Sequence, residues 1–145
     1  MKLLITGALG HIGSELIRNL PSACIDSVVL LDNLSSQRYV SLCHLPNDLS
    51  FQLIEDDICT ANLDSYFQRI DVVVHLAALT NAEGSFAISD QVEETNLAGT
   101  KRVAEACIQC GCKLVFISTT SVYGIQDGVV DEGCSSTSLC PQSPY

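Results

Sequence analysis

Leu3-Leu4-Ile5-Thr6-Gly7-Ala8-Leu9-Gly10-His11-Ile12-Gly13 decides the fold of this chain. An apolar run ends in Gly7, Gly10 and Gly13, and a pattern that places Ile12, Leu16, Ile17 and Leu20 on one helical face follows. The order is strand, glycine-rich turn, helix. Such a turn lets backbone approach a pyrophosphate, and the helix behind it aims free N–H groups and the positive end of its dipole at that charge. The G-x-x-G-x-x-G spacing differs from the G-x-G-x-x-G dinucleotide fingerprint, a difference read here as the mark of a subfamily.

A second apolar run, Val28-Val29-Leu30-Leu31, ends in Asp32, 19 positions after Gly13. That offset suits an acid that accepts the hydroxyls of an adenosine ribose. A carboxylate there repels a 2′-phosphate, so NAD is favoured over NADP. Enzymes that use S-adenosylmethionine also carry a glycine-rich turn and an acid after the second strand, so the two features alone do not name the cofactor.

The chain has 145 residues, of which 47% are hydrophobic, enough for one domain with a real core. Its net charge of −10 argues against nucleic acid and anionic membranes as partners. No apolar run approaches the length of a membrane span, and the N-terminus turns into glycines too soon for a secretory signal, so a cytoplasmic location is expected. Arg38, Arg69, Lys101 and Arg102 are scattered in sequence, which leaves the helix N-terminus to hold the dinucleotide's charge. Eight cysteines in such a chain read as reduced thiols. Cys107-x-x-Cys110-x-Cys112 invites a zinc or redox reading, but Cys107 continues a helical stripe, Gly111 reads as a helix stop and no fourth ligand lies near. No metal site is expected.

Coarse periodicity predicts strands over 2–6, 27–32, 51–55, 71–76 and 112–118. Helices are predicted over 11–20, near 62–69 and near 89–109, the last with Val92, Leu97, Val103, Ala104, Cys107 and Ile108 as its apolar stripe. Continuous apolar strands such as Val72-Val73-Val74 suit a parallel sheet covered on both faces. The fold class is therefore α/β, a doubly wound parallel sheet of the Rossmann type with right-handed crossovers. Residues 124–145 carry no periodic pattern and read as a long surface segment of the functional kind.

In this frame the chain resembles the extended short-chain dehydrogenase/reductases, the NAD-dependent epimerase/dehydratase group. An ordered set of motifs across residues 6–145 carries the resemblance: Thr6-Gly7-x-x-Gly10-x-Ile12-Gly13, Asp32-Asn33-Leu34, Asp56-Asp57-Ile58, His75-Leu76-Ala77-Ala78, Asn96-Leu97-Ala98-Gly99-Thr100, Ser118-Thr119-Thr120-Ser121-Val122-Tyr123-Gly124 and Pro141-Gln142-Ser143-Pro144-Tyr145. The S-adenosylmethionine alternative does not predict the later members.

The resemblance implies a cofactor-binding set. Gly7, Gly10, His11, Ile12 and Gly13 stand at the phosphates, and Asp32, Asn33 and Ser36 beyond the second strand. Asp57 and Ile58 stand at the adenine, Leu76, Ala77 and Ala78 along the cofactor's passage, and Asn96 and Ser118 complete the set. It also implies a catalytic pair: Thr119, whose hydroxyl steadies the reacting oxygen, and Tyr145, the general acid/base. His75 reads instead as a core histidine satisfied by hydrogen bonds. A phenol of pKa about 10 is poorly matched to neutral pH. Relatives lower it with a lysine four residues further on and with the positive nicotinamide ring.

That lysine position and the substrate-binding region lie past residue 145, so the reading is an N-terminal cofactor-binding domain, truncated at its C-terminal end. Poor or absent turnover and an exposed apolar surface beside the last strand are expected of it, so that the chain alone is marginally stable or aggregates. Dehydratases and decarboxylases of the group carry an acid shortly after the catalytic Thr, whereas Thr120-Ser121-Val122 offers none. The resemblance therefore favours an epimerase of the UDP-glucose 4-epimerase type, with a nucleotide-sugar substrate. A dehydratase, a ketone reductase, a non-catalytic dinucleotide sensor and an interaction module stay open. Relatives often dimerise through the long helix and one further on, so a homodimer is expected of a full-length enzyme and not of this chain alone.

Overall fold

The computed structural model describes residues 1–80, 84–126 and 128–141, and not the side chain of Ser85. Five strands, β1 (Lys2–Thr6), β2 (Ser27–Asp32), β3 (Ser50–Glu55), β4 (Val72–His75) and β5 (Lys113–Phe116), form one sheet in the order β3-β2-β1-β4-β5. Every pairing is parallel. The doubly wound architecture expected from the alternation of apolar runs and helical patterns is the one present. The chain steps outward from β1 to β3, then crosses back to β4 on the other side. That reversal opens a crevice beyond the carboxyl ends of β1 and β4, where doubly wound sheets bind ligands.

Strand alternation splits the core in two. Leu3, Ile5, Val28 and Leu30 face α1 (His11–Arg18), whose Ile17 is fully buried among them. Leu4, Leu31 and Val73 face the other way, onto Leu63 and Phe67 of α2 (Leu63–Phe67) and Val103 and Cys107 of α4 (Thr100–Cys110). Full burial of each such side chain contributes about 1.5–3 kcal/mol before entropy is charged against it.

Two helical stripes differ from expectation. Ile12 is 58% exposed, because the first turn of α1 rises above the sheet and faces the crevice. The long helix is α3 (Ser89–Val92), a π-helical stretch over Glu93–Gly99, and then α4. The wider turn rotates Leu97 off the buried face, and Ile108 sits one position beyond Cys107, so both are exposed while Val92, Val103 and Cys107 are buried. Gly111 does stop α4: it adopts the left-handed conformation, and the N–H of Cys112 returns to the Cys107 carbonyl at 2.9 Å. Cys107 is thus a core residue, and burial pushes its thiol up to about 11. No group of potential metal ligands is assembled among the described residues.

The sheet ends in an apolar edge. Val115, Phe116 and Ile117 are 48%, 55% and 50% exposed, the uncovered surface expected beside the last strand. No helix among the described residues is long and apolar enough to cross a membrane.

Candidate functional site: a cleft at the carboxyl ends of the strands

Four connections converge on one cleft of about 550 Å³. The β1–α1 turn supplies Gly7, Gly10, His11, Ile12 and Gly13. The segment after β2 supplies Asp32, Asn33 and Ser36, the one after β3 Asp57 and Ile58, and the one after β4 Leu76, Ala77 and Ala78. All of these are among the residues expected from the sequence. Arg38, Thr80 and Thr95 line the same space and carry no such signal. Neither a glycine pattern nor an apolar period marks such residues. A shallower hollow of about 590 Å³ lies on the outer flank of α1 and gathers only α1 side chains and Asn19.

The turn is held by close backbone packing. Gly7 has φ +62°, and a Cβ there would stand 2.6 Å from the Ala77 nitrogen. A Cβ on Gly13 would stand 2.4 Å from the Ala8 carbonyl oxygen. Gly10 caps α1 with no side-chain hydrogen bond, and no acid sits in the first turn. The leading N–H groups of α1 therefore face the cleft without a side-chain partner, the condition an anionic ligand satisfies.

Asp32 braces that turn. Its Oδ2 accepts from the Leu9 N–H at 2.9 Å and its Oδ1 from the Leu34 N–H at 2.9 Å. The Leu9 carbonyl in turn accepts from the buried Ser41 hydroxyl at 2.9 Å. Two lone pairs on the carboxylate remain for a ligand's hydroxyls. An Asn at this position keeps one acceptor oxygen and turns an NH₂ toward a backbone donor. Asp32→Asn is expected to cost about 1–3 kcal/mol with no ligand present, read as a lowered denaturation midpoint. An unchanged midpoint would show that the brace is not formed.

Asp57 accepts from the Asn33 side-chain amide at 2.9 Å and from the Cys59 N–H at 2.8 Å. Those donors hold its carboxyl below the usual carboxylate range. The turn that carries it is clasped from α4, where Arg102 donates to the carbonyls of Ile58 at 3.0 Å and Ala61 at 2.6 Å. Ile58 itself is a core residue, packed where Gly99 leaves room. Asn96 lies in the π-helical stretch and does not line the cleft. Its amide accepts from the Leu79 N–H at 2.8 Å and donates to the Leu79 carbonyl at 3.0 Å, fixing the loop after β4.

Behind that loop lies a buried polar chain. The Thr6 hydroxyl oxygen accepts from the N–H groups of Leu76 at 3.2 Å and Ala77 at 3.3 Å, so its proton goes to His75 Nδ1, 2.6 Å away. His75 Nε2 then carries the proton and donates to the Thr100 hydroxyl at 2.9 Å. The ring stacks on Phe116, and burial pulls its pKa down to about 4. His75 is a neutral core histidine whose bonds end on the backbone lining the cleft.

The residues after β5 are not brought into this lining. Ser118 is exposed, and the Thr119 hydroxyl is turned onto Ser121, accepting from its N–H at 3.2 Å and donating to its Oγ at 3.1 Å. Tyr145 lies outside the described residues.

This geometry is that of a nucleotide-binding domain. Residues 3–145 match the NAD dependent epimerase/dehydratase family, to which the chain belongs. An uncharacterized UDP-glucose epimerase of Bacillus subtilis is 35% identical over 100% of this chain and 47% of its own length. A dTDP-glucose 4,6-dehydratase of Streptomyces niveus is 32% identical over 100% of this chain and 45% of its own. The structure of UDP-glucuronic acid 4-epimerase from Bacillus cereus, in complex with UDP-glucuronic acid and NAD, superposes with a TM-score of 0.84 at 34% identity, over 100% of this chain and 48% of that one. The chain thus spans about half the length of the relatives it matches.

Proposed function

We propose that this chain is the NAD-binding part of a sugar-nucleotide epimerase that inverts a hydroxyl-bearing carbon of a UDP-sugar. The observation that carries the reading is the cleft itself, where the uncapped N-terminus of α1 and the Asp32 carboxylate meet over Gly7 and Gly13, which leave no room for a side chain. Backbone N–H groups at residues 11–13 hold the diphosphate, Asp32 takes the adenosine ribose hydroxyls, and Asp57 accepts from the adenine amine. Leu76, Ala77 and Ala78 give the nicotinamide half its path along β4, and Asn96 keeps the following loop in place. Bound NAD supplies a hydride acceptor. The chain's own part in the reaction is proton handling: Tyr145 takes the proton from the sugar hydroxyl, and Thr119 hydrogen-bonds the same oxygen as it becomes a carbonyl. For this, the Thr119 hydroxyl exchanges Ser121 for the substrate. The absence of Asp or Glu over residues 120–122 supports epimerisation over dehydration, since a dehydratase needs an acid beside the reacting carbon.

Titration of NAD into the folded chain tests the binding step. A hundredfold excess over the dissociation constant is expected to stabilise the fold by about 2.7 kcal/mol, read as a raised melting temperature. No shift and no calorimetric heat would overturn the reading. On the polypeptide that carries this chain, recovery of the C4 epimer of UDP-glucose supports the epimerase, and a 4-keto-6-deoxy sugar means a dehydratase.

A further inference from the structure

The cleft carries a cation that the sequence had scattered among unrelated positions. Arg38 is half-buried on its wall and is the one Lys or Arg among the described residues lining it. Its position is fixed at the backbone. The Arg38 carbonyl accepts from the Ser41 N–H at 2.9 Å, and the Ser41 hydroxyl is the group that holds Leu9 of the glycine turn. The guanidinium reaches across to α1, where Nη2 donates to His11 Nδ1 at 3.3 Å.

That partner is an imidazole nitrogen and not a carboxylate, and the carboxylates nearby are already engaged. Asp32 and Asp57 accept backbone and amide N–H groups, and Asp56 accepts from the Tyr66 hydroxyl at 2.8 Å. Among the described residues the ion pair shown is Met1 with Asp26, at the opposite end of the sheet. A guanidinium with spare donors, in a chain of net charge −10, thus stands over an uncapped helix N-terminus. A guanidinium with unused N–H donors matches phosphate oxygens in charge and in its fork geometry.

We propose that Arg38, steadied by His11, donates to the diphosphate of the bound dinucleotide from the side facing the α1 N–H groups. The inference rests on the reading of the cleft as the NAD site. It revises the expectation that main-chain amides alone neutralise the phosphates. One other phosphate source exists, the 2′-phosphate of NADP.

The test titrates NAD, NADP and adenosine into the wild-type chain, Arg38→Gln, Arg38→Lys and the distant control Arg69→Gln, at low and high salt. Arg38→Gln is expected to weaken NAD and NADP by the same factor, about tenfold at low salt, and to leave adenosine unchanged. The factor shrinks at high salt because a charge contact is screened. Arg38→Lys recovers part of the loss, and Arg69→Gln changes nothing. Unchanged NAD affinity in Arg38→Gln overturns the proposal, and a loss confined to NADP overturns it by placing Arg38 at the 2′ position. A loss that extends to adenosine also overturns it, as a sign of collapse of the loop. Failure of the wild-type chain to take up NAD at all sinks the cleft reading together with this one.

Discussion

Gly7→Ala is expected to cost about 3 kcal/mol or more, and Gly111→Ala only about 1–2 kcal/mol, although both glycines hold a left-handed conformation. Backbone preference penalises the two alike, with φ of +62° and +73°. They differ in what a methyl group meets. Around Gly111 there is nothing within 4 Å, whereas at Gly7 the new carbon would fall 2.6 Å from the Ala77 nitrogen and 2.8 Å from the Leu76 carbonyl carbon. Those are main-chain atoms of a strand end that is already bonded to the Thr6 hydroxyl, so they have no rotamer with which to give way. Overpacking of this kind adds about 1–3 kcal/mol. Gly13→Ala should be at least as severe, because its clash at 2.4 Å is with the Ala8 carbonyl. Gly10→Ala, with its nearest contact at 3.2 Å, should be mild. Denaturant midpoints of the four variants check the order. Equal costs at Gly7 and Gly111 would mean that the turn and the β4 loop do not touch as described. Because Gly7 and Gly13 both line the cleft, Gly7→Ala and Gly13→Ala should also abolish NAD uptake.

Much of this was legible beforehand, for definite reasons. Apolar runs such as Val72-Val73-Val74 encode strands with apolar residues on both faces, and glycine placement marks the turn, so the doubly wound parallel sheet and the phosphate-facing turn after β1 followed from topology rules. Helix detail did not follow. A π-helical stretch over Glu93–Gly99 depends on which carbonyl each N–H selects, and the apolar spacing of Val92 and Leu97 does not distinguish it from an α-helix. Arg38 and Arg102 were legible only as isolated cations, because their roles arise from approach across the fold. One clasps carbonyls 44 and 41 residues away, and the other meets a histidine 27 residues away. Spacing assigns Asp32 to a ligand's hydroxyls, and its bonds to Leu9 and Leu34 add a brace that spacing does not reveal. The sequence resemblance pairs Thr119 with Tyr145. The first is held by its own turn, and the second lies outside the described residues.

His75 gives the fold an acid-sensitive core. In the unfolded chain it titrates near its ordinary 6.5, and in the folded chain only at about 4. Above pH 6.5 the ring is neutral in both states and favours neither through protonation. As pH falls below 6.5 the unfolded chain takes a proton that the folded chain refuses, so stability is lost progressively until about pH 4, where the native ring protonates as well. The gap between the two values corresponds to about 3 kcal/mol. The physical cause is burial: the ring is 3% exposed, and both nitrogens are committed to hydroxyl partners. A proton added at Nδ1 would set two donors against each other, because the Thr6 hydroxyl already gives its hydrogen there. Carboxylates such as Asp57, held low by its N–H donors, lose their contribution only at lower pH. The windows therefore separate. His75→Gln should be less stable than wild type at pH 7, by about 1–3 kcal/mol for the broken Thr6 and Thr100 bonds. The gap should close by about 3 kcal/mol on titration to pH 4. A gap that stays constant across that range would show that the ring is open to protons in the native state, and the chain from Thr100 through His75 and Thr6 to the cleft backbone would then have to be abandoned.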